Sequence, residues 1–300
     1  MLKVTFGIIV LNGDFVLDQC IRSLYPYAHQ ILISEGPVEY WQQQGVITST
    51  DRTNEILDNF PDPENKIKVV HGQFKEKTEQ CNAYMQYLSP ESEYIWNVDS
   101  DEFFKGEDIL KMYKILEEEK YTSVSVKMTT FFGGFDRYLT GFEENAEIMR
   151  IRKVYPGSYW SNHRPPTVSH VYNGEKLPEK HLDFNTLAEK YGIRMYHYSY
   201  VFPRQVYQKA LYYKAAVSTS NIPNYFENVY FPWVVGDDHQ KANIENIYNG
   251  VHEWHPSIRG ACRTKKFEGE HPIEIQKDLE KLKDIFQREI EEYKSGNFDW

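Results

Sequence analysis

Cysteine is scarce in this 300-residue chain: Cys20, Cys81 and Cys262 stand far apart, and an odd number leaves at least one thiol unpaired. That excludes a disulfide-stapled scaffold and a cysteine-based zinc site, and it points to a reducing compartment. Positive charge is also short, with 34 Lys and Arg against 44 Asp and Glu, a formal net charge of −10. Such a chain has no long-range pull on polyanions, so no nucleic-acid partner is expected. Long apolar runs are missing too. The longest, Phe6 to Leu11, falls far below the roughly 18–20 residues that span a bilayer. No transmembrane segment is expected, and Met1-Leu2-Lys3 leads into a strand-like run without the pattern of a signal peptide. These absences predict a cytoplasmic chain, one that would meet a membrane-dissolved partner peripherally, at the inner face. What is plentiful is aromatic: 23 Tyr, 17 Phe and 6 Trp. Tyr and Trp serve equally to pack a core or to face a sugar ring with a polar tip.

The first 128 residues alternate apolar β-rich runs with helical stripes. Residues 3–11 form a near-continuous apolar run, the pattern of a strand buried on both faces. Further strands are predicted at 31–33, 67–70, 94–98 and 123–128, with helices over 76–88 and 106–119 between them. This order specifies a βαβ series, hence an α/β fold with a mainly parallel central sheet flanked by helices. Ligands in such sheets bind beyond the carboxyl ends of the strands. Residues 129–300 are less regular, broken by Gly133-Gly134, Pro156-Gly157 and Pro165-Pro166. Helices are predicted there from Pro203 to about Ser218 and, as a terminal amphipathic helix, over 273–294. The expected division is a first half, 1–128, and a second half, 129–300, within one continuous catalytic domain.

The strongest chemical signal is Asn97-Val98-Asp99-Ser100-Asp101-Glu102, directly after an apolar strand. Carboxylates two apart at a strand end can turn towards one ion, and oxygen ligands suit Mn²⁺ or Mg²⁺. Asp99 and Asp101 are therefore the expected metal ligands. A strand over 193–196 would end at His197, whose neutral imidazole is a competent third ligand. Arg150 and Arg152 alternate on a predicted strand and have the charge to meet phosphates. Lys77, at a helix start, and Lys209 are further cationic candidates. Asp237-Asp238-His239 and His252-x-x-His255 lack a clear third ligand and read as polar loop residues.

Several pieces recur in order. Val4 to Asn12 comes first, followed by Ser23-Leu24-Tyr25 and Ile33-Ser34-Glu35-Gly36, then Ser49-Thr50-Asp51-Arg52-Thr53, Lys77…Asn82-Ala83 and Val98 to Glu102. Together they resemble family-2 glycosyltransferases of the GT-A fold. The resemblance continues in Ile148 to Lys153 and in His197-Tyr198-Ser199-Tyr200…Lys209…Tyr213, like the branch holding lipopolysaccharide-core glucosyltransferases. It implies a metal-dependent transfer of a sugar from a nucleoside-diphosphate sugar to a glycan or lipid-linked hydroxyl. It also implies that the nucleotide lies across the first strand ends, where Asn12, Glu35 and Asp51 would meet it, with Asp99 beside the diphosphate. Residues 1–128 would then bind the donor and 129–300 the acceptor.

The catalytic base is the weakest link to the residues. The branch it resembles commonly shows a His-Glu pair after the basic strand. Here the nearest counterpart is His163-Arg164-Pro165-Pro166, without the carboxylate. His163, Asp136, Glu143 and Asp238 are the candidates. Two other readings stay open. A sugar nucleotidylyltransferase would need a Gly-rich, Arg-bearing loop after the first strand, and Leu11-Asn12-Gly13-Asp14 is not one. A catalytically silent glycan- or nucleotide-binding protein on the same fold would not need an intact acidic motif.

Overall fold

The computed structural model describes residues 2–163, 166–168, 171–172, 175–216, 222–298 and 300; the side chains of 163–176, 215–216 and 258–259 lie outside this description. In chain order the strands that carry the fold are β1 (Val4–Val10), β2 (Gln30–Glu35), β3 (Ile67–His71), β4 (Tyr94–Asp99), β5 (Ser123–Val126) and β6 (Met128–Phe132). They continue with β7 (Arg137–Leu139), β8 (Ile148–Lys153), β9 (His181–Leu182), β10 (Met195–Tyr200) and β11 (Thr264–Lys266). The helices used below are α1 (Leu17–Leu24), α2 (Thr53–Asn59), α3 (Lys77–Met85), α4 (Gly106–Glu119), α5 (Phe184–Tyr191), α6 (Pro203–Ala216), α7 (Asp238–Ile247) and α8 (Ile273–Ser295).

The chain divides into two compact units. One comprises Met1–Lys127, Glu147–Met195 and Pro272–Glu274, the other Met128–Ala146, Tyr196–His271 and Ile275–Trp300. The chain leaves the first unit after Lys127 and returns to it at Glu147. Lys127 marks the crossing. The single strand expected over 123–128 is two strands, β5 and β6, separated by this residue, whose ammonium sits over the Phe184 ring at 5.6 Å.

The first unit is built on a seven-stranded sheet in the order β9-β5-β8-β4-β1-β2-β3. β1 pairs in parallel with both β2 and β4, and β2 with β3. All seven residues of β1 are buried, as its unbroken apolar run requires. β8 is the departure from a purely parallel series: it runs antiparallel between β4 and β5. The sheet is mainly parallel and is flanked by helices, with α3 packed on β1, β2 and β3 and α5 on β5. Ile9, Leu32, Ile95, Cys81, Tyr84 and Trp160 form a core cluster here. The chain runs β1, β2, β3 to one side and then returns to β4 on the other. That reversal between β1 and β4 is the topological switch point, where a crevice opens for ligands.

In the second unit the strands run β11-β7-β6-β10, with β7 antiparallel to both β6 and β11. Its core is aromatic: Phe132, Tyr200, Tyr225, Phe226, Tyr230 and Trp233 are buried together. Beside it Phe131 stacks on Tyr198 at 4.6 Å, and Tyr198 Oη lies 2.8 Å from His271 Nδ1. Burial pulls the His271 pKa down from 6.5 to about 4; the Lys283 charge pulls the same way, and a hydrogen bond with the Phe135 backbone opposes it. Between those two values the unfolded chain takes up a proton that the folded chain refuses. Stability is therefore expected to fall as pH drops through that window. His271→Gln should flatten this slope, seen as a smaller difference between urea midpoints at neutral pH and near pH 4.5.

The three cysteines are buried, and none of them forms a disulfide. Among the described residues no helix is long and apolar enough to cross a membrane.

Candidate active site

The parallel registers align Val10 with Glu35, Glu35 with His71, and Ile9 with Asp99, so the expected site residues of the first unit share one carboxyl edge. Asn12 follows β1 with φ of 52°, a left-handed turn that Asn tolerates. Its Oδ1 accepts from Thr50 N–H at 2.8 Å, and its own N–H donates to Ser49 Oγ at 3.0 Å. Glu35 is 1% exposed. Its carboxylate accepts from Ser49 N–H at 2.7 Å, from Thr48 Oγ1 at 3.2 Å, and pairs with His71 Nδ1 at 3.0 Å. Asp51 accepts from Asp14 N–H at 3.1 Å and Thr53 N–H at 2.9 Å. The structure thus brings Asn12, Glu35 and Asp51 together, and their bonds go to the chain itself. They tie loop 48–53, ahead of α2, to the turn after β1.

Gln80, buried on α3, was not singled out by the sequence. Its Nε2 donates to Ser34 O at 3.1 Å and Gly36 O at 3.2 Å, pinning the end of β2. A buried amide in an otherwise undistinguished helix leaves no pattern to find. Tyr40 and Trp41, in a short helix Glu39–Gln43, pack edge to face at 4.9 Å. Lys77 is the first residue of α3.

Asp99 ends β4 and is 32% exposed at its side chain. Arg150, on β8 and 8% exposed at its side chain, donates to Asp99 Oδ2 at 3.2 Å and to the fully buried Glu102. Glu102 also accepts from the Asp99 N–H at 3.0 Å, which closes the acidic turn on itself. The antiparallel insertion of β8 beside β4 sets Arg150 against the acidic motif. Arg152 goes elsewhere, to Glu179 at 2.6 Å. Beneath the turn the Cys20 thiol donates to the Glu102 carbonyl at 3.6 Å. Burial pushes its pKa well up, and the charges of Asp101, Glu102 and Asp99 push it further. The turn is a region of negative potential.

Among the described residues no group of three or more His, Cys, Asp or Glu side chains is arranged to hold a metal ion. Mg²⁺ is commonly held by one or two carboxylates plus substrate phosphates and water rather than by a cage of protein ligands. The Asp99–Asp101 turn fits that mode by its donor chemistry.

His197 belongs to the second unit, Asp99 and Asp101 to the first. It lies within β10 rather than after a strand, because the Tyr-rich run Tyr196 to Tyr200 extends the strand past it. Thr130 Oγ1 donates to Glu143 Oε1 at 3.1 Å and lies 3.5 Å from His197 Nδ1. Thr130 thus stands between the Glu143 carboxylate and the His197 ring. Glu143 is buried, 3.5 Å from His252 Nε2. Lys209, on α6, donates to Ser199 Oγ and sits 4.1 Å over the Tyr200 ring.

The other base candidates are scattered. Asp136 is exposed in the turn after β6. Asp238 is an exposed first residue of α7, whose cap is Asp237 in a capping box with Gln240. His255 caps a short helix, accepting from Ser257 N–H. The side chain of His163 and all of Arg164 lie outside the described residues.

A mainly parallel sheet with an acidic turn at its switch point is an α/β architecture that opens a ligand crevice beside that turn. Residues 48–173 match the glycosyl transferase family 2. That stretch runs from the loop ahead of α2 past β8, so it takes in the acidic turn and Arg150. The chain is similar to the glycosyltransferase GlyG of Streptococcus pneumoniae serotype 4, 26% identical over 152 residues, 48% of this chain and 46% of that protein. The chain thus spans less than half the length of this curated relative. Among solved structures it resembles S. aureus TarS 1–349 (10% identity, 99% of this chain, 83% of that one, TM-score 0.40). A second likeness is to 4-diphosphocytidyl-2C-methyl-D-erythritol synthase of Anaerococcus prevotii (13% identity, 51% of this chain, 71% of that one, TM-score 0.32). Likenesses this distant assign no chemistry to the chain.

Proposed function

We propose that this chain transfers a sugar from a nucleoside-diphosphate sugar to a glycan or lipid-linked hydroxyl, with Mn²⁺ or Mg²⁺ held at Asp99 and Asp101. The observation that carries this reading is the acidic turn Asp99 to Glu102 at the switch point, drawn together by Arg150. A divalent cation there supplies Lewis-acid neutralisation of the departing diphosphate. The chain's own residues set the geometry. Arg150 and the Asp99 N–H hold the Glu102 carboxylate inside the turn, which aims Asp99 outward. Asn12, Glu35 and Asp51 act on the nucleoside by fixing the loop that walls its crevice, since their oxygens already accept from that loop. Lys77 brings positive charge at a helix start for the diphosphate. In the second unit the His197 imidazole is the group suited to a cation or to the proton of an acceptor hydroxyl. Buried Glu143 orients that ring through Thr130.

The test is hydrolysis of a panel of UDP-, GDP-, dTDP- and CMP-sugars, with and without EDTA. At least one nucleoside-diphosphate sugar should turn over, and chelation should stop it. Binding of a nucleotide-sugar without turnover under any metal would mark a silent binding protein instead.

A further inference from the structure

The second unit holds a cavity of about 410 Å³ that none of the chemistry above uses. Such a volume lies within the range of small-molecule sites, roughly 300–1,000 Å³. Its apolar wall includes Phe267 and Phe286, both half-buried, while Asp136 and Lys283 stand at its border, both exposed. The Phe267 ring is fixed, edge-on to Phe131 at 4.9 Å and 5.0 Å from His271. His271 is a satisfied, neutral part of the wall, bonded to Tyr198 and to the Phe135 backbone. Gly134 keeps the space open. At φ of 129° a Cβ there would project to 3.9 Å from the Phe286 ring and 3.7 Å from Asp136 Oδ1.

We propose that this cavity binds a neutral pyranose unit of a glycan. A pyranose has an apolar C–H face, which the fixed aromatic wall can cover, and a rim of hydroxyls. The Asp136 carboxylate accepts hydroxyl protons and the Lys283 ammonium donates to hydroxyl oxygens. Lys283 also pairs with the Glu280 carboxylate at 2.8 Å, so the rim carries no surplus positive charge that would select an anion. A purely aliphatic ligand would leave both charged groups facing hydrocarbon, at a cost. The choice of a glycan rests on the transferase reading; the apolar wall and paired charges do not.

The experiment is saturation-transfer NMR of the whole chain with maltose, cellobiose, lactose and diacetylchitobiose, alongside a thermal-shift measurement with nucleoside diphosphate and Mn²⁺. At least one disaccharide should receive saturation, strongest on the ring C–H protons. Phe286→Ala should weaken binding roughly tenfold through lost apolar contact. Lys283→Glu should also weaken it severalfold, and both variants should keep the nucleotide-dependent thermal shift. The proposal is overturned if no disaccharide binds, or if both variants bind as the parent does. A disaccharide that binds where no nucleotide does would uphold the cavity and sink the transferase reading alone.

Discussion

Arg150→Met is expected to destabilise the protein by about 3–5 kcal/mol, the loss typical when one partner of a buried ion pair is removed. Glu102 is fully buried, and Arg150 is the cation it meets in β8. Without the guanidinium a carboxylate would stay in the sheet with its charge uncompensated, or would take up a proton and release the Asp99 end of the turn. The measurement is urea unfolding followed by circular dichroism, read from the midpoint at constant slope. Arg150→Met with Glu102→Gln should recover much of the loss, because removing both charges is far less costly than removing one. A single variant within about 1 kcal/mol of the parent would show that the pair does not hold the turn, since only a surface pair costs so little.

Asp101→Ala should abolish metal-dependent stabilisation by a nucleoside diphosphate. A ligand at a hundred times its Kd stabilises by about 2.7 kcal/mol, which for a chain of this size is a rise in Tm of roughly 4 °C. Differential scanning fluorimetry with UDP, GDP, dTDP or CDP and Mn²⁺ should show that rise with at least one of them. EDTA should remove it. Asp101 is partly exposed, whereas Glu102 is fully buried. Removing the Asp101 carboxylate should therefore leave the unliganded Tm within a degree or two, unlike the Arg150 change. A nucleotide shift that survives both EDTA and Asp101→Ala would end the assignment of a cation to this turn.

These two variants separate what could be read along the chain from what could not. The strands β1 to β4 and the helices α3, α4, α6 and α8 stand within a few residues of their predicted spans, because continuous apolar runs and period-3.6 stripes are local signals. The acidic turn was legible for the same reason: its residues are consecutive. Arg150 was legible only as a cation on a strand. Its partner depends on β8 running antiparallel beside β4, a pairing of distant segments (Tyr94↔Lys153, Trp96↔Ile151) that no local pattern announces. A run such as Ser123 to Phe132 reads as one apolar stretch, and periodicity does not say where a chain leaves one sheet for another.

The nucleoside candidates teach the complementary lesson. Asn12, Glu35 and Asp51 were found in the sequence as polar residues at strand ends and helix starts, and the structure does gather them. Which atoms they bond to was decided by the fold. Each meets an N–H of loop 48–53 or of the turn after β1, and such bonds form only once two distant strands have paired in register.

By itself the sequence determined the α/β class, the parallel heart of the sheet and the acidic turn at the carboxyl end of β4. Hydrophobic periodicity and consecutive carboxylates are properties of neighbouring residues, and they survive in one dimension. Only the tertiary structure decided that Arg150 closes on that turn, that Glu143 reaches His197 through Thr130, and that Phe267, Phe286, Asp136 and Lys283 frame one cavity. Those relations join residues tens to more than a hundred positions apart. Their energies come from burial and from the register of paired strands, which exist only after the chain has folded.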